Sequence, residues 1–204
     1  MKLRNISLLV VVLLILDQIL KIWIKTHMCL GESIVVFPEW FQLRFIENNG
    51  AAFGMSIASA GAFDWGKMAL SLFRIVLIGL LIYYIWYLVR KRSDVPKGVL
   101  IGLALVVAGA IGNMIDSAFY GLVFSASTPV TPAHVGDGYA PFLMGKVVDM
   151  FYLPLFRWDS VPQWLSFLVD ENNYFFGPIF NLADAYISVA VVYLLIFHYR
   201  FFQE

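Results

Sequence analysis

The chain has 204 residues, of which 61% are hydrophobic and only 14% are charged, and its 14 basic residues balance its 14 acidic ones. A mean hydropathy of +0.79 is typical of a membrane protein and excludes an ordinary soluble domain of this size. The neutral balance and the lack of a basic tract argue against nucleic-acid binding. The single Cys29 excludes an internal disulfide and a cysteine-rich metal site.

Four apolar stretches are long enough to cross a hydrocarbon layer about 30 Å thick, which takes roughly 20 helical residues. They cover residues 6–24, 70–89, 98–117 and 178–197. The first is too long for a secretory signal and has no Ala-x-Ala exit site, so we expect it to remain as an anchor. The sequence therefore predicts one α-helical membrane domain, residues 1–204, with four transmembrane helices.

The charges are distributed unequally between the two sides of this arrangement. The basic residues on one side are Lys2, Arg4, Arg90, Lys91, Arg92, Lys97 and Arg200. The positive-inside rule makes that side cytoplasmic, together with both termini. Most acidic residues fall in two long extracytoplasmic segments, 27–67 and 118–177; they are Glu32, Glu39, Glu47, Asp64, Asp137, Asp159, Asp170 and Glu171.

The outer segments contain recognisable elements. Residues 33–37 and 41–46 are rich in Ile, Val and Phe, and Gln42 and Arg44 alternate with apolar residues. This pattern predicts two strands of a small sheet on the membrane surface, with Pro38 and Glu39 in the turn between them. Residues 125–138 are turn-rich, whereas residues 151–176 carry many aromatic side chains, which suit the headgroup level.

Asp17 and Lys21 lie within the first span, where an ionisable side chain is costly and indicates a functional site by default. Their spacing of four residues places opposite charges on one helix face. An internal ion pair that makes the span tolerable explains them, and a direct chemical role remains an alternative.

The third span contains Gly102, Gly109 and Gly112, small residues that allow close contact between helices. Packing does not explain Asn113 and Asp116, three residues apart at the end of this span. Helix capping is one explanation, because Asn and Asp are common where helices end. A functional site is the other.

Asn181 and Asp184 have the same spacing at the start of the last span, and Asp149 lies in an apolar run, Val-Val-Asp-Met-Phe. The sequence lacks a Gly-x-Ser-x-Gly elbow, a Gly-x-Gly-Asp run and a His-Glu-x-x-His pair, so serine, presenilin-type and zinc mechanisms lack their residues. A pair of carboxylates remains. Two carboxyl groups that face each other in a buried site share one proton and can serve as acid and base.

Five motifs together resemble the lipoprotein signal peptidases (signal peptidase II), the intramembrane aspartyl peptidases of bacteria. They span nearly the whole chain in the order Asp17-Gln18-xx-Lys21, Asn48-x-Gly50-Ala51-Ala52-Phe53, Gly112-Asn113-xx-Asp116, Val147-Val148-Asp149 and Phe180-Asn181-x-Ala183-Asp184.

This resemblance implies that Asp149 and Asp184 form the catalytic dyad. The supporting or substrate-binding residues that it implies are Asp17, Lys21, Asn48, Gly50, Asn113, Asp116, Asn181 and Ala183. It implies a fold of four transmembrane helices with a small periplasmic β-cradle and an interfacial helix, in the bacterial inner membrane, with the site on the periplasmic side. The expected substrate is a prolipoprotein whose cysteine carries diacylglycerol, cut just before that cysteine. We expect a monomer in contact with membrane lipid, without metal or organic cofactor.

Two features depart from the family pattern. Ser117 stands where the family usually has arginine, and the contact made by that arginine must be absent or supplied elsewhere, with Lys146 and Arg157 as candidates. The segments 118–148 and 153–177 are longer than usual.

Two other classes of protein remain open, a small ion-coupled transporter and a non-catalytic membrane assembly subunit, since both also place charges in spanning helices.

Overall fold

The computed structural model describes residues 2–38, 40–49, 64–92, 94–158, 160–169, 174–175 and 177–203. Several residues named above therefore lie outside the described residues: Glu39, Gly50, Ala51, Ala52, Phe53, Asp159, Asp170 and Glu171. The elements are helices α1 (Leu3–His27), α2 (Trp65–Lys91), α3 (Lys97–Ile115) and α4 (Leu182–Phe197), and strands β1 (Ser33–Phe37), β2 (Phe41–Asn48) and β3 (Val147–Tyr152). Short 3-10 helices lie at Gln163–Leu168 and Tyr199–Phe202.

The fold is mostly helical, with three long apolar helices and a shorter fourth. α1, α2 and the continuous helical stretch Lys97–Val123 are each long and apolar enough to cross a membrane, whereas α4 has 16 residues. In the third stretch 56% of the apolar window is buried, against 17% in α1 and α2, because this helix contacts the other three. α4 begins later than the predicted position 178 because Asn181 caps it and Phe180 pairs with Phe151.

The three strands form one antiparallel sheet in the order β1-β2-β3. β1 and β2 lie where the sequence predicts them, and Pro38 begins the turn between them. β3 is a strand that the sequence did not predict, and it carries Asp149 opposite Ile46. Phe180 adds a bridge to the free side of β3, through amide–carbonyl hydrogen bonds of 2.7 and 3.1 Å with Phe151.

Among the described residues, the two larger of three apolar cores lie toward opposite ends of the bundle. One joins the start of α1 to the end of α2, the start of α3 and the end of α4, through Ile6, Leu88, Val99 and Leu194. The other, called the outer core, joins the end of α1 to the sheet and to the outer segment 118–148; it contains Ile24, Met28, Phe45, Tyr120, Phe124, Ala133, Val148 and Met150. The basic residues cluster at the first end, and the sheet lies at the second. The large apolar side chains left exposed on α1, α2 and α4 are suited to contact with lipid.

Candidate active site

Asp149 and Asp184 reach the same site from different elements. Asp149 is 3% exposed in β3, and Asp184 lies in the first turn of α4. The bridge between Phe151 and Phe180 brings the end of β3 beside the start of α4. Asp184 is close enough to act electrostatically on Asp149.

Two asparagines connect the two carboxyl groups, and a third donates to Asp149 alone. The Asn181 amide donates to Asp149 Oδ1 at 2.6 Å and to Asn113 Oδ1 at 3.1 Å, and the Asn113 amide donates to Asp184 Oδ1 at 2.7 Å. Asn48 Nδ2 donates to the other oxygen of Asp149. These side chains add hydrogen bonds without adding charge. They hold the carboxyl groups in a fixed relation.

Lys21 is fully buried behind this layer. Its ammonium lies 3.1 Å from Asp17 Oδ2 and 2.9 Å from Asp116 Oδ2, and it donates to Asn113 Oδ1 at 2.8 Å. The predicted ion pair between Asp17 and Lys21 is therefore present. It is not confined to one helix, because Asp116 shares the same ammonium.

The two carboxylates that bind Lys21 also hold the backbone beside Asp149 and Asp184. Asp17 Oδ1 accepts from the amide of Ala183 at 3.0 Å, directly before Asp184. Asp116 Oδ2 accepts from the amide of Val148 at 3.2 Å, directly before Asp149. One buried cation thus connects the two chain segments that carry Asp149 and Asp184.

Capping occurs at α4 and not at the end of α3. Asn181 and Asp184 form a reciprocal capping box, in which each side chain accepts from the backbone of the other. Asp116 instead continues the helix into a π-helical turn, Asp116–Tyr120, where its side chain points into the site. Such turns are frequent at functional sites because they redirect side chains. Helix capping therefore does not account for Asp116.

The surroundings raise the pKa of Asp149 to about 7. Burial is the largest cause, followed by the nearby charge of Asp184, because both disfavour a negative charge on Asp149. Hydrogen bonds from Asn181 and Asn48 and the charge of Lys21 act in the opposite direction. A group with this pKa can hold a proton near neutral pH and release it during a reaction.

Ser117 stands in place of the family arginine, and Lys146 and Arg157 are the candidates to supply the contact of that arginine. The buried hydroxyl of Ser117 has no hydrogen-bond partner among the described residues. Lys146 is directed toward Glu47, at 3.9 Å, and Arg157 pairs with Tyr174 in an isolated bridge. Within the described residues, no group of three His, Cys, Asp or Glu side chains is arranged to hold a metal ion.

A cation that sequence reasoning missed is Arg74 of α2, which interacts electrostatically with Asp184. Lys67 and Ser71 lie on the same helix face, and they donate to the backbone carbonyls of Met144 and Leu143. The sequence contains a signal for Arg74, because an arginine between apolar residues in a spanning helix indicates a partner inside the bundle.

Comparison with solved structures defines the class of fold. Two structures, each described as a bacterial membrane enzyme, match 95% of this chain with TM-scores of 0.59 and 0.62 and 25% sequence identity. The match covers 87% and 92% of those chains. The fold is therefore that of a bacterial membrane enzyme.

Sequence comparison then gives the family. The family described as Signal peptidase (SPase) II matches residues 9–200. The lipoprotein signal peptidase of Porphyromonas gingivalis is 46% identical over 201 residues, which are 97% of this chain and 84% of that relative. The lipoprotein signal peptidase of Amoebophilus asiaticus is 33% identical over 199 residues, 96% of this chain and 76% of that relative. The chain belongs to the signal peptidase II family of peptidases, and this membership does not favour a transporter or a non-catalytic subunit.

Proposed function

We propose that this protein removes signal peptides from diacylglyceryl-modified prolipoproteins, with Asp149 and Asp184 as an aspartyl dyad. Family membership supports the substrate class. The observation that carries the dyad is the chain of amide hydrogen bonds from Asp149 through Asn181 and Asn113 to Asp184. Such a chain holds two carboxyl groups about one reacting centre.

The two carboxyl groups divide the chemistry between them. Asp149, with its raised pKa, supplies the proton that the pair shares near neutral pH. Asp184 is the base: it removes a proton from water, and the resulting hydroxide attacks the carbonyl carbon before the lipidated cysteine. Asp149 donates its proton to the carbonyl oxygen as that oxygen becomes negative.

The tetrahedral intermediate then collapses. The carbonyl re-forms and returns its proton to Asp149, the C–N bond breaks, and Asp184 gives its proton to the departing amine. The signal peptide leaves with a new carboxyl terminus, and the lipoprotein keeps an amino-terminal cysteine. Both carboxyl groups return to their starting state.

The position of the site suits this substrate. The dyad lies beside the sheet and the outer core, at the end of the bundle opposite the basic residues. By the positive-inside rule this is the extracytoplasmic end, and we place the protein in the inner membrane with both termini in the cytoplasm. A lipid-bearing cysteine at the headgroup level brings the scissile bond to that depth. We propose that the protein acts as a monomer in contact with membrane lipid and without a cofactor.

Cleavage of a diacylglyceryl-modified prolipoprotein by the purified protein in detergent tests the proposal. We expect Asp149→Asn and Asp184→Asn each to lower kcat by about 10³-fold or more, and the double variant to be little worse than either, because the pair acts as a unit. Asp137→Asn, an exposed carboxyl of the outer segment, is the control. Near-normal turnover by Asp149→Asn would move the dyad elsewhere, with Asp116 as the next candidate.

The same assay tests the absence of a metal requirement. We expect activity to survive excess EDTA, because the proposed reaction uses only the two carboxyl groups. Complete loss on chelation with recovery on adding Zn²⁺ would contradict the aspartyl mechanism.

A further inference from the structure

A second set of buried charges lies outside the dyad network. Its buried charges are those of Lys25 and Glu47, and together with Ser127 and the half-exposed Lys146 they form the Glu47 cluster. Lys25 follows Lys21 by one turn of α1, is fully buried and pairs with Glu47, whose side chain is 3% exposed. Ser127 Oγ accepts from Lys25 at 2.9 Å and donates to Glu47 Oε1 at 2.8 Å, and Lys146 lies 3.9 Å from Oε2. Because buried charges are unfavourable without such partners, the position of Glu47 depends on the whole cluster.

Glu47 is the neighbour of Asn48 in β2. Successive residues of a strand point to opposite faces of the sheet. Glu47 therefore faces the outer core while Asn48 faces the site and donates to Asp149. The register pairs Glu47 with Val148 and Asn48 with Val147, so both lie at the same end of the β2–β3 ladder. A shift of Glu47 moves Asn48.

The outer segment 118–148 holds this cluster from the side away from the site. Its Ala133 amide donates to the Lys25 carbonyl at 3.1 Å, and the Thr128 carbonyl accepts from Leu30 at 2.9 Å. The ring of Tyr139 lies 5.1 Å from the Lys25 ammonium, and its hydroxyl accepts from the Lys146 amide at 2.6 Å. The segment thus connects the end of α1 to the start of β3 through the Glu47 cluster.

We propose that Glu47, fixed by Lys25 and Ser127, is a positioning residue that holds Asn48 against Asp149. The outer segment then contributes to the reaction from behind the sheet, although none of its cluster residues touches the dyad in the described contacts. This inference rests on the proposed function, because the group that is positioned is a member of the proposed dyad.

The consequence is a change in the pH dependence of the reaction. The charges that act on Asp149 come from Asp184 on α4 and Lys21 on α1, and its hydrogen bonds come from Asn48 and Asn181. A donor bond favours the ionised carboxylate, so displacing Asn48 raises the pKa of Asp149. The pair then loses its shared proton at a higher pH, so the alkaline limb of the kcat profile moves to higher pH.

The experiment compares kcat, KM and the kcat pH profile of four variants with the diacylglyceryl-modified prolipoprotein as substrate. They are Ser127→Ala, the paired variant with both Lys25→Met and Glu47→Gln, Asn48→Ala, and the paired variant with Asn48→Ala added. The paired substitution removes both charges, so that no buried ion is left alone. Thr131→Val, an exposed position of the same segment whose hydroxyl contacts Thr128, is the matched control.

We expect the paired variant to have a kcat about tenfold lower with little change in KM. Its alkaline limb should move to higher pH, as that of Asn48→Ala should. Ser127→Ala should move the limb in the same direction but less. Adding Asn48→Ala to the paired variant should cause no further shift, because both act through one contact. A folded paired variant with the wild-type profile, or additive effects, would overturn the inference. An active Asp149→Asn enzyme would instead contradict the proposed function. Failure of this inference and failure of the proposed function are therefore distinguishable.

Discussion

Lys21 shows how far single residues could be predicted. Its spacing from Asp17 predicts their ion pair, because positions i and i+4 face each other on any helix. The contact with Asp116 depends on how α1 packs against α3, which no local pattern contains. The same holds for Lys25 and Glu47, and for the position of Arg74 near Asp184. Local spacing could therefore predict pairs within one helix, whereas it could not predict these pairs between elements.

The shared ammonium changes what substitution of Lys21 should do. Lys21→Gln leaves both Asp17 and Asp116 buried without their cation, and breaking a buried pair costs about 3–5 kcal/mol. We expect Tm in detergent to fall by about 10 °C. Adding Asp17→Asn or Asp116→Asn should each restore part of the loss, and adding both should restore most of it. Full recovery from Asp17→Asn alone would contradict the contact with Asp116. Activity should stay low in every case, since Lys21 links the backbones beside both members of the dyad.

Asp149 should make stability depend on pH. An unfolded aspartate ionises near pH 4, whereas the folded protein keeps Asp149 protonated up to about pH 7. Folding therefore takes up a proton in this window, so this contribution to stability is fully present below about pH 4 and is lost progressively as the pH rises to about 7. Asp149→Asn cannot ionise, so its Tm relative to wild type should rise by about 5 °C between pH 5 and pH 8.

Asp94→Asn is the control for this measurement. A hydrogen bond from Arg92 lowers the pKa of the exposed Asp94, so its titration lies below the window and the Tm difference should stay constant. A Tm difference for Asp149→Asn that is also constant from pH 5 to pH 8 would show that Asp149 is ionised throughout.

At the level of elements, length and hydropathy predict α1, α2 and α3 well, since a spanning helix needs a long apolar run. β3 was missed because a short apolar run has the same pattern as a buried helical turn. The start of α4 was placed too early, since apolarity continues through Pro178 and Phe180 while the capping box begins the helix at Asn181. Small residues in α3 correctly predicted close contact between helices.

Gly109 and Gly102 should differ in their tolerance of a methyl group. At Gly109 an added Cβ would lie 2.3 Å from the backbone oxygen of Ala183, beside the first turn of α4. At Gly102 the nearest atoms, at 2.7 Å, belong to the flexible side chain of Leu194. We expect Gly109→Ala to cost about 1–3 kcal/mol and to abolish cleavage, since it displaces the segment that carries Asp184.

Gly102→Ala should be milder, because Leu194 can adopt another rotamer. Gly79→Ala, where nothing lies within 4 Å of the new methyl group, should be neutral or slightly stabilising in a helix. Thermal unfolding in detergent ranks the three variants. Equal stability for Gly109→Ala and Gly79→Ala would contradict the close approach of α3 and α4.

At the level of the whole molecule, the basic residues lie at one end of the bundle and the sheet lies at the other. The core that joins the helix ends near Lys97 and Arg200 lies opposite the one that supports the sheet and the dyad. The five motifs predicted a shared site because they match one family in order, and the described parts of all five converge. The proposed side of the membrane for the site rests on the distribution of the basic residues, and it can be measured directly.

Cysteine labelling in spheroplasts measures this sidedness. In a Cys29→Ser background, Val130→Cys places a thiol in the outer segment at a position that is 82% exposed. Asp94→Cys places one between α2 and α3, where the exposed pair with Arg92 contributes little to stability. Because the basic end faces the cytoplasm in the proposed orientation, a membrane-impermeant maleimide should label residue 130 in intact spheroplasts. It should reach residue 94 only after permeabilisation, when both thiols react alike. Labelling of residue 94 alone in intact spheroplasts would reverse the orientation and place the dyad on the cytoplasmic side.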